Sequence, residues 1–370
     1  MLTMNVGSLT LSEGFRIEGE AAYDSAGRIV SGAGDVNGDG YDDFIVGAPF
    51  SDAGGQNSGA AYVVFGSAGG LPDINLSSLT SSQGFEIVGE AADILAASSI
   101  SSAGDINGDG FGDVIVGAYA DNAAGAKAGA AFVIYGKASG FTTVDLASLD
   151  PADGFKITGD GANDQAGRSV SSAGDVNGDG LDDIIIGAPY SNGSASGTAA
   201  AYVIFGSTSG FSNIDLSTLD ASHGFAISEA AGDRAGTSVA AAGDVNGDGF
   251  DDILIGAPDY GGYQDGAYYY AGQGAVYIVY GKAGGPGDIE LTTLTTDDAR
   301  GSVLLGDPQS LAGSTVSSAG DINGDGLDDI IFGETFYGSG GAVHVVYGSD
   351  SGFTYPQGLS PARGSPTRSR

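Results

Sequence analysis

The chain has 370 residues, 41% of them hydrophobic, ample for a core and more than a disordered tail would carry. Forty-seven acidic against twelve basic residues give a net charge of -35, which repels phosphate backbones and anionic lipid, attracts multivalent cations and excludes nucleic acid as a partner. With no cysteine, disulfides, thiolate metal sites and thiol nucleophiles drop out, and 68 glycines without a Gly-X-Y period indicate a turn-dense all-β chain.

Met1 to Thr10 has neither a basic start nor an apolar stretch, so no secretory signal is read there. Apolar runs along the chain are strand-length, as in Phe44 to Val46 or Ile184 to Ile186, well short of the roughly 20 residues of a membrane helix, so no membrane insertion is expected. The first strand, Gly14 to Gly19, stands before any complete repeat. A loop beginning at Asp35 then recurs at Asp105, Asp175, Asp244 and Asp321, at spacings of 70, 70, 69 and 77 residues.

Four short strands surround each loop. The strand before it carries one apolar residue (Val30, Ile100, Val170, Val239, Val316) among Ser, Ala and Gly, which suits a crowded inner position. The strand after it has three consecutive apolar residues, as in Ile253-Leu254-Ile255, a pattern of burial on both faces. Sheets must therefore stack on sheets. The next strand keeps aromatic filler at its ends, Tyr62 and Phe65 or Tyr277 and Tyr280. Four-stranded sheets stacked radially describe a β-propeller, and about 70 residues without disulfides are marginal as separate domains. If each blade takes its outermost strand from the following repeat, the last blade lacks one. Gly14 to Gly19 is predicted to pair beside Ala342 to Tyr347, closing the ring and removing its edges.

Within the loops, positions 1, 3, 5 and 9 offer side-chain oxygens and position 7 a backbone carbonyl. The first copy supplies Asp35, Asn37, Asp39, Tyr41 and Asp43, and the second Asp105, Asn107, Asp109, Phe111 and Asp113. The third supplies Asp175, Asn177, Asp179, Leu181 and Asp183, the fourth Asp244, Asn246, Asp248, Phe250 and Asp252, and the fifth Asp321, Asn323, Asp325, Leu327 and Asp329. Hard oxygen ligands on a tight turn, with glycine at position 6, suit calcium, and about five ions per chain are expected. An EF-hand would need a carboxylate at position 12, where Val46, Val116, Ile186, Ile255 and Phe332 stand inside strands.

In the fourth copy the stretch from the loop to the third strand is six residues longer than in the first three, and it reads Asp259 to Tyr270. Its Tyr260, Tyr263, Tyr268, Tyr269 and Tyr270 on glycine-rich backbone form a candidate ligand loop for protein or glycan; the competing reading is a loop folded over its own blade. His344 replaces a third-strand aromatic and His223 precedes Gly224 in a connector, so both read as structural or solvated. With no phosphate loop or hydrolase motif, no enzyme is expected. The pairs Asp42-Asp43, Asp182-Asp183, Asp251-Asp252 and Asp328-Asp329 are not acid/base dyads, because neighbours on a strand diverge. From Thr354 to Arg370 the pattern is abandoned. One domain is therefore expected over residues 1–350, with 351–370 a disordered or non-native tail.

These residues resemble the FG-GAP repeats of integrin α-subunit propellers and their bacterial relatives. The resemblance runs from about Gly14 to Gly348. It rests on the loops and on Gly47-Ala48-Pro49, Gly187-Ala188-Pro189 and Gly256-Ala257-Pro258, while alanine replaces the Phe of Phe-Gly in Ala26-Gly27, Ala166-Gly167, Ala235-Gly236 and Ala312-Gly313. Integrin propellers have seven blades against five repeats here. The resemblance implies an extracellular or cell-surface, calcium-stabilised adhesion or ligand-binding module, with calcium loops on one face and ligand loops on the other. A non-binding spacer within a large surface protein is the alternative, and a propeller enzyme with a channel-mouth active site a more remote one.

Overall fold

Five antiparallel sheets follow one another along the chain in the computed structural model, which describes residues 13–190, 199–229, 232–265, 268–270, 272–294, 299–335 and 340–353. The first sheet orders Ile29–Gly34, Asp43–Ala48, Ala60–Val64 and Gly84–Val88, so its fourth strand comes from the second repeat. A short fifth strand, Val144–Asp145, adds in parallel from the third repeat. The second and third sheets repeat this order, starting at Ser99–Gly104 and Ser169–Gly174. In the fourth, Ser238–Gly243, Asp252–Ala257, Ala275–Val279 and Gly301–Leu305 pair, and in the fifth Thr315–Gly320, Asp329–Glu334 and Ala342–Val346. Among the described residues the only helices are single 3-10 turns in the connectors, such as Leu76–Ser78, and none is long and apolar enough to cross a membrane.

The chain divides into two compact units, residues 1–172 with 206–218, and residues 173–205 with 219–370. In the first, Ile45, Val63 and Phe85 of one sheet pack on Val114, Val116 and Phe132 of the next. In the second, Ile253 and Ile255 of the fourth sheet meet Ile185 and Val203 of the third, while Leu254 between them faces Ile330 and Phe332 of the fifth. Three consecutive apolar residues are thus consumed by two faces, as their run predicts. Each fully buried isoleucine or leucine contributes about 1.5–3 kcal/mol.

The single apolar residue of the first strand faces the preceding sheet. Ile100, Val239 and Val316 are buried accordingly, and Val170 is buried too, but Val30 is 65% exposed, with no other sheet among the described residues packed on it. That corrects the expectation of a crowded position there. At the other end Val343, Val345 and Tyr347 correspond to Val276, Ile278 and Tyr280 of the fourth sheet, which face a following sheet, and they too are exposed.

Ile17–Glu18, within the segment predicted to close the ring, pairs in parallel with Ile74–Asn75, the outer partner that Gly84–Val88 finds in Val144–Asp145; this leaves untouched the edge by which Gly84–Val88 meets Ala60–Val64, and Ala342–Val346 is the edge of its sheet among the described residues. The outer pairing is fixed locally. The Asp73 carboxylate accepts the Arg16 N–H at 2.8 Å and draws the connector alongside, as Asn213 does at Lys156 and Asp288 at Ala226. Ile17–Glu18, Gly84–Val88, Gly154–Thr158 and Gly224–Ser228 each take their outer partner from the connector that follows. Residues 354–370, the larger part of the predicted tail, lie outside the described residues.

Candidate metal centres

Each loop turns between the first and second strands of a sheet, and its opening aspartate builds the turn. Asp35 Oδ1 accepts the N–H groups of Gly38 and Asp39 at 2.8 and 3.0 Å, and its Oδ2 accepts that of Gly40 at 2.8 Å. Asn37 Oδ1 accepts the Asp39 N–H, and Asp39 Oδ1 accepts the Tyr41 N–H at 2.9 Å. The third, fourth and fifth copies repeat the first-position set at Asp175, Asp244 and Asp321. Positions 1, 3 and 5 therefore share one turn.

Position 9 is different in kind. Asp43, Asp113, Asp183, Asp252 and Asp329 are all buried at the start of the second strand. Asp113 Oδ2 accepts the Ile106 N–H at 3.1 Å and its Oδ1 the Gly136 N–H at 2.8 Å, tying the loop to the end of the third strand. Asp43, Asp252 and Asp329 make the same two bonds in their copies. Burial, reinforced by the nearby first- and fifth-position carboxylates, pushes Asp43 up to about 6 and Asp113 and Asp252 to about 8. A divalent cation among these groups would relieve that strain of charge.

The donor set fits a hard cation: three carboxylates and an amide oxygen per loop, with no lysine or arginine inside any of the five. Among the described residues, however, no three acidic or histidine side chains converge on one point, because the loop carboxylates are spent on backbone amides.

Two residues of the loops have roles that spacing alone does not reveal. Position 8 of one loop reaches the preceding one: Asp251 Oδ2 accepts the Asp175 N–H at 2.8 Å, and Asp328 Oδ2 accepts that of Asp244 at 3.1 Å. Adjacent aspartates therefore diverge, one outward to a neighbouring loop and one into the sheet. Position 7 covers the glycine at position 4 of the loop before it. A Cβ on Gly38 would lie 2.4 Å from the Phe111 ring, and one on Gly178 would lie 2.3 Å from that of Phe250. Both glycines also have positive φ, 72° and 75°.

At the other ends of the strands, the tyrosine-rich insertion forms a hairpin, Tyr263–Asp265 against Tyr268–Tyr270. Residues 266, 267 and 271 lie outside the described ones. Tyr260 stands edge-on to Tyr277, ring centres 6.3 Å apart, so this ring is packed against the third strand of its own sheet. His344 is also committed, stacking on Phe332 with Nε2 2.9 Å from Glu334 Oε2. His223 is exposed beside Asp220.

Comparison with known proteins finds the FG-GAP repeat model matching residues 26–64, 96–134, 166–204, 235–279 and 312–346, together just over half of the chain. Integrin alpha pat-2 of Caenorhabditis briggsae is 30% identical over 241 residues, 60% of this chain and 17% of that protein. Phosphatidylinositol-glycan-specific phospholipase D of Bos taurus is 36% identical over 192 residues, 51% of this chain and 21% of the relative. Integrin alpha-5 of Xenopus laevis is 31% identical over 211 residues, 54% and 17%. The chain spans about a fifth or less of the length of these relatives.

Proposed function

The chain belongs to the FG-GAP repeat family, and from that premise we propose that it is a calcium-stabilised ligand-binding module of an extracellular or cell-surface protein. The observation that carries this is the fivefold loop, in which an all-oxygen donor set repeats without loss and burial, with the neighbouring loop carboxylates adding to it, raises the position-9 carboxyls. Loop residues of positions 1, 3, 5 and 9, with the carbonyl of position 7, would hold the ions. Calcium supplies the positive charge that lets these carboxylates share a turn, and the blades are stiffened by it.

The five sheets are the blades of one β-propeller domain over residues 1–350. Support comes from sheets buried on both faces, and from an apolar face left open at each end of the series, at Val30 and at Val343 with Val345. The strand ends opposite the loops carry the partner surface, for a protein or glycan, and integrin alpha chains among the relatives favour adhesion over a spacer. No catalytic role is proposed.

Thermal melting from EDTA to a few millimolar calcium, with a direct count of bound ions, tests the reading. At a calcium concentration ten times the dissociation constant each site adds about 1.4 kcal/mol, so five independent sites add roughly 7. A large upward shift with about five ions bound is expected. An unchanged melting curve with no ion bound would reduce the loops to turns and remove the proposal.

A further inference from the structure

In the first unit, a cleft of about 270 Å³ opens where the first strands begin and the second strands end, the edge of the sheets away from the metal loops. Two arginines line it, each laid on an aromatic ring. Arg28 Cζ stands 5.4 Å from the centre of the Phe50 ring and Arg168 Cζ 4.7 Å from that of Tyr119. Both arginines are exposed, and neither guanidinium has a carboxylate or hydrogen-bond partner among the described residues. That is unusual in a chain with 47 acidic and only 12 basic residues. Other basic side chains here, Arg16, Lys137 and Lys156, each hold a carboxylate.

The second unit contains a comparable arrangement already satisfied, its arginine standing before Ala235-Gly236 where Arg28 and Arg168 follow Ala26-Gly27 and Ala166-Gly167. Arg234 Cζ lies 5.1 Å over the Tyr190 ring, and its Nε donates to Asp259 Oδ2 at 2.9 Å. Asp259 follows Gly256-Ala257-Pro258, the place that Phe50 holds after Gly47-Ala48-Pro49. A stacked guanidinium keeps its plane on the ring and turns its edge N–H groups outward, which suits a carboxylate in the bidentate mode. In the first unit Phe50 holds that place in the first repeat and Ala120, after Gly117-Ala118-Tyr119, in the second, so neither supplies a carboxylate and the arginines are left with their donors unclaimed.

We infer that the cleft between Arg28 and Arg168 receives an acidic side chain of a partner protein, whose carboxylate takes the role that Asp259 plays at Arg234. The inference rests on the reading that ligands are met opposite the metal loops. A peptide is favoured over a glycan because the guanidiniums already cover the ring faces on which a pyranose would stack, and because Pro49 and Leu95 add aliphatic lining to the site. The net charge does not forbid an acidic ligand. At physiological ionic strength the Debye length is about 8 Å, so remote carboxylates are screened while contacts inside the cleft are not.

The test uses the full chain at saturating calcium and fluorescein-labelled hexaglutamate, followed by anisotropy, with hexaglutamine and a galacturonate oligomer in parallel arms. Hexaglutamate should bind and hexaglutamine should not. Arg28→Gln and Arg168→Gln should each weaken binding about tenfold, the double variant should abolish it, and Arg28→Lys should restore only part, lacking the planar fork. Both side chains are exposed, so melting temperature and bound-calcium count should match the parent. Hexaglutamate binding that is absent, or that survives in the double variant, overturns the inference, as does arginine-dependent binding of galacturonate with none of the peptide. Calcium counted in the same samples separates this failure from that of the calcium reading.

Discussion

Position 9 of the loop has two jobs that a ligand pattern merges into one. Asp113 is fully buried and caps two backbone N–H groups, whereas Asp109 at position 5 is exposed and bonds only within its own turn. Asp113→Ala should therefore cost about 3 kcal/mol in EDTA, the desolvation of two orphaned donors, while Asp109→Asn should cost little there and chiefly reduce the calcium-dependent gain. Equal losses for the two variants in EDTA would refute the distinction. The oxygen-bearing positions of the loop were legible in the sequence because they sit on one short turn. Asp251 and Asp328 were not, since each serves a loop some eighty residues away in the chain.

A second residue makes stability depend on pH. Glu229 accepts the Ala235 N–H at 2.9 Å, but burial, with Asp233 and Asp259 nearby, lifts it from 4.5 to about 8. Arg234 is spent on Asp259. Folded chains thus keep a proton that unfolded chains release near 4.5, so this group removes stability as pH climbs through that window and nothing further above it. Glu229→Gln keeps the acceptor and discards the titration. Its melting temperature should rise relative to the parent from pH 5 to pH 8, and a constant difference would show that Glu229 ionises normally.

Among elements, the strand beginning Gly-Phe is the one that joins repeats, and its glycine is required by contact. At Gly84, Gly154 and Gly224 a Cβ would lie 2.0 Å from the carbonyl oxygen of Val63, Val133 or Val203 on the third strand. Gly154→Ala must part the strand pair from Phe132 to Ile134 or break its register, and a loss above about 2 kcal/mol is expected by denaturant melting. Little or no change would mean that the ladder has slack. The four strands per repeat were readable because their apolar runs differ in kind. The connector strands were not: Ile74–Asn75 is two residues long and is held by Asp73 reaching Arg16, a contact with no local signature. The connector takes only the outer edge of Ile17–Glu18, as it does of Gly84–Val88, so the edge that the predicted closing pairing would use is not the one it claims.

At the scale of the whole molecule, charge decides the behaviour without calcium. A net charge of -35 loads the folded state with self-repulsion, concentrated where five loops each gather three carboxylates. Five divalent ions would bring the net charge only to about -25, but they act at the points where repulsion is greatest. Monovalent salt acts everywhere and weakly, shortening the Debye length from about 10 Å at 0.1 M to about 3 Å at 1 M. In EDTA, raising potassium chloride across that range should therefore raise the melting temperature clearly. At saturating calcium the same salt should do much less, because the short-range part of the repulsion is already neutralised and what remains is spread over an exposed surface. Equal salt increments in the two conditions would show that the loops are not where the repulsion resides. A fall with salt in EDTA would show that attractive pairs such as Lys156 with Glu90 and Asp121 outweigh it.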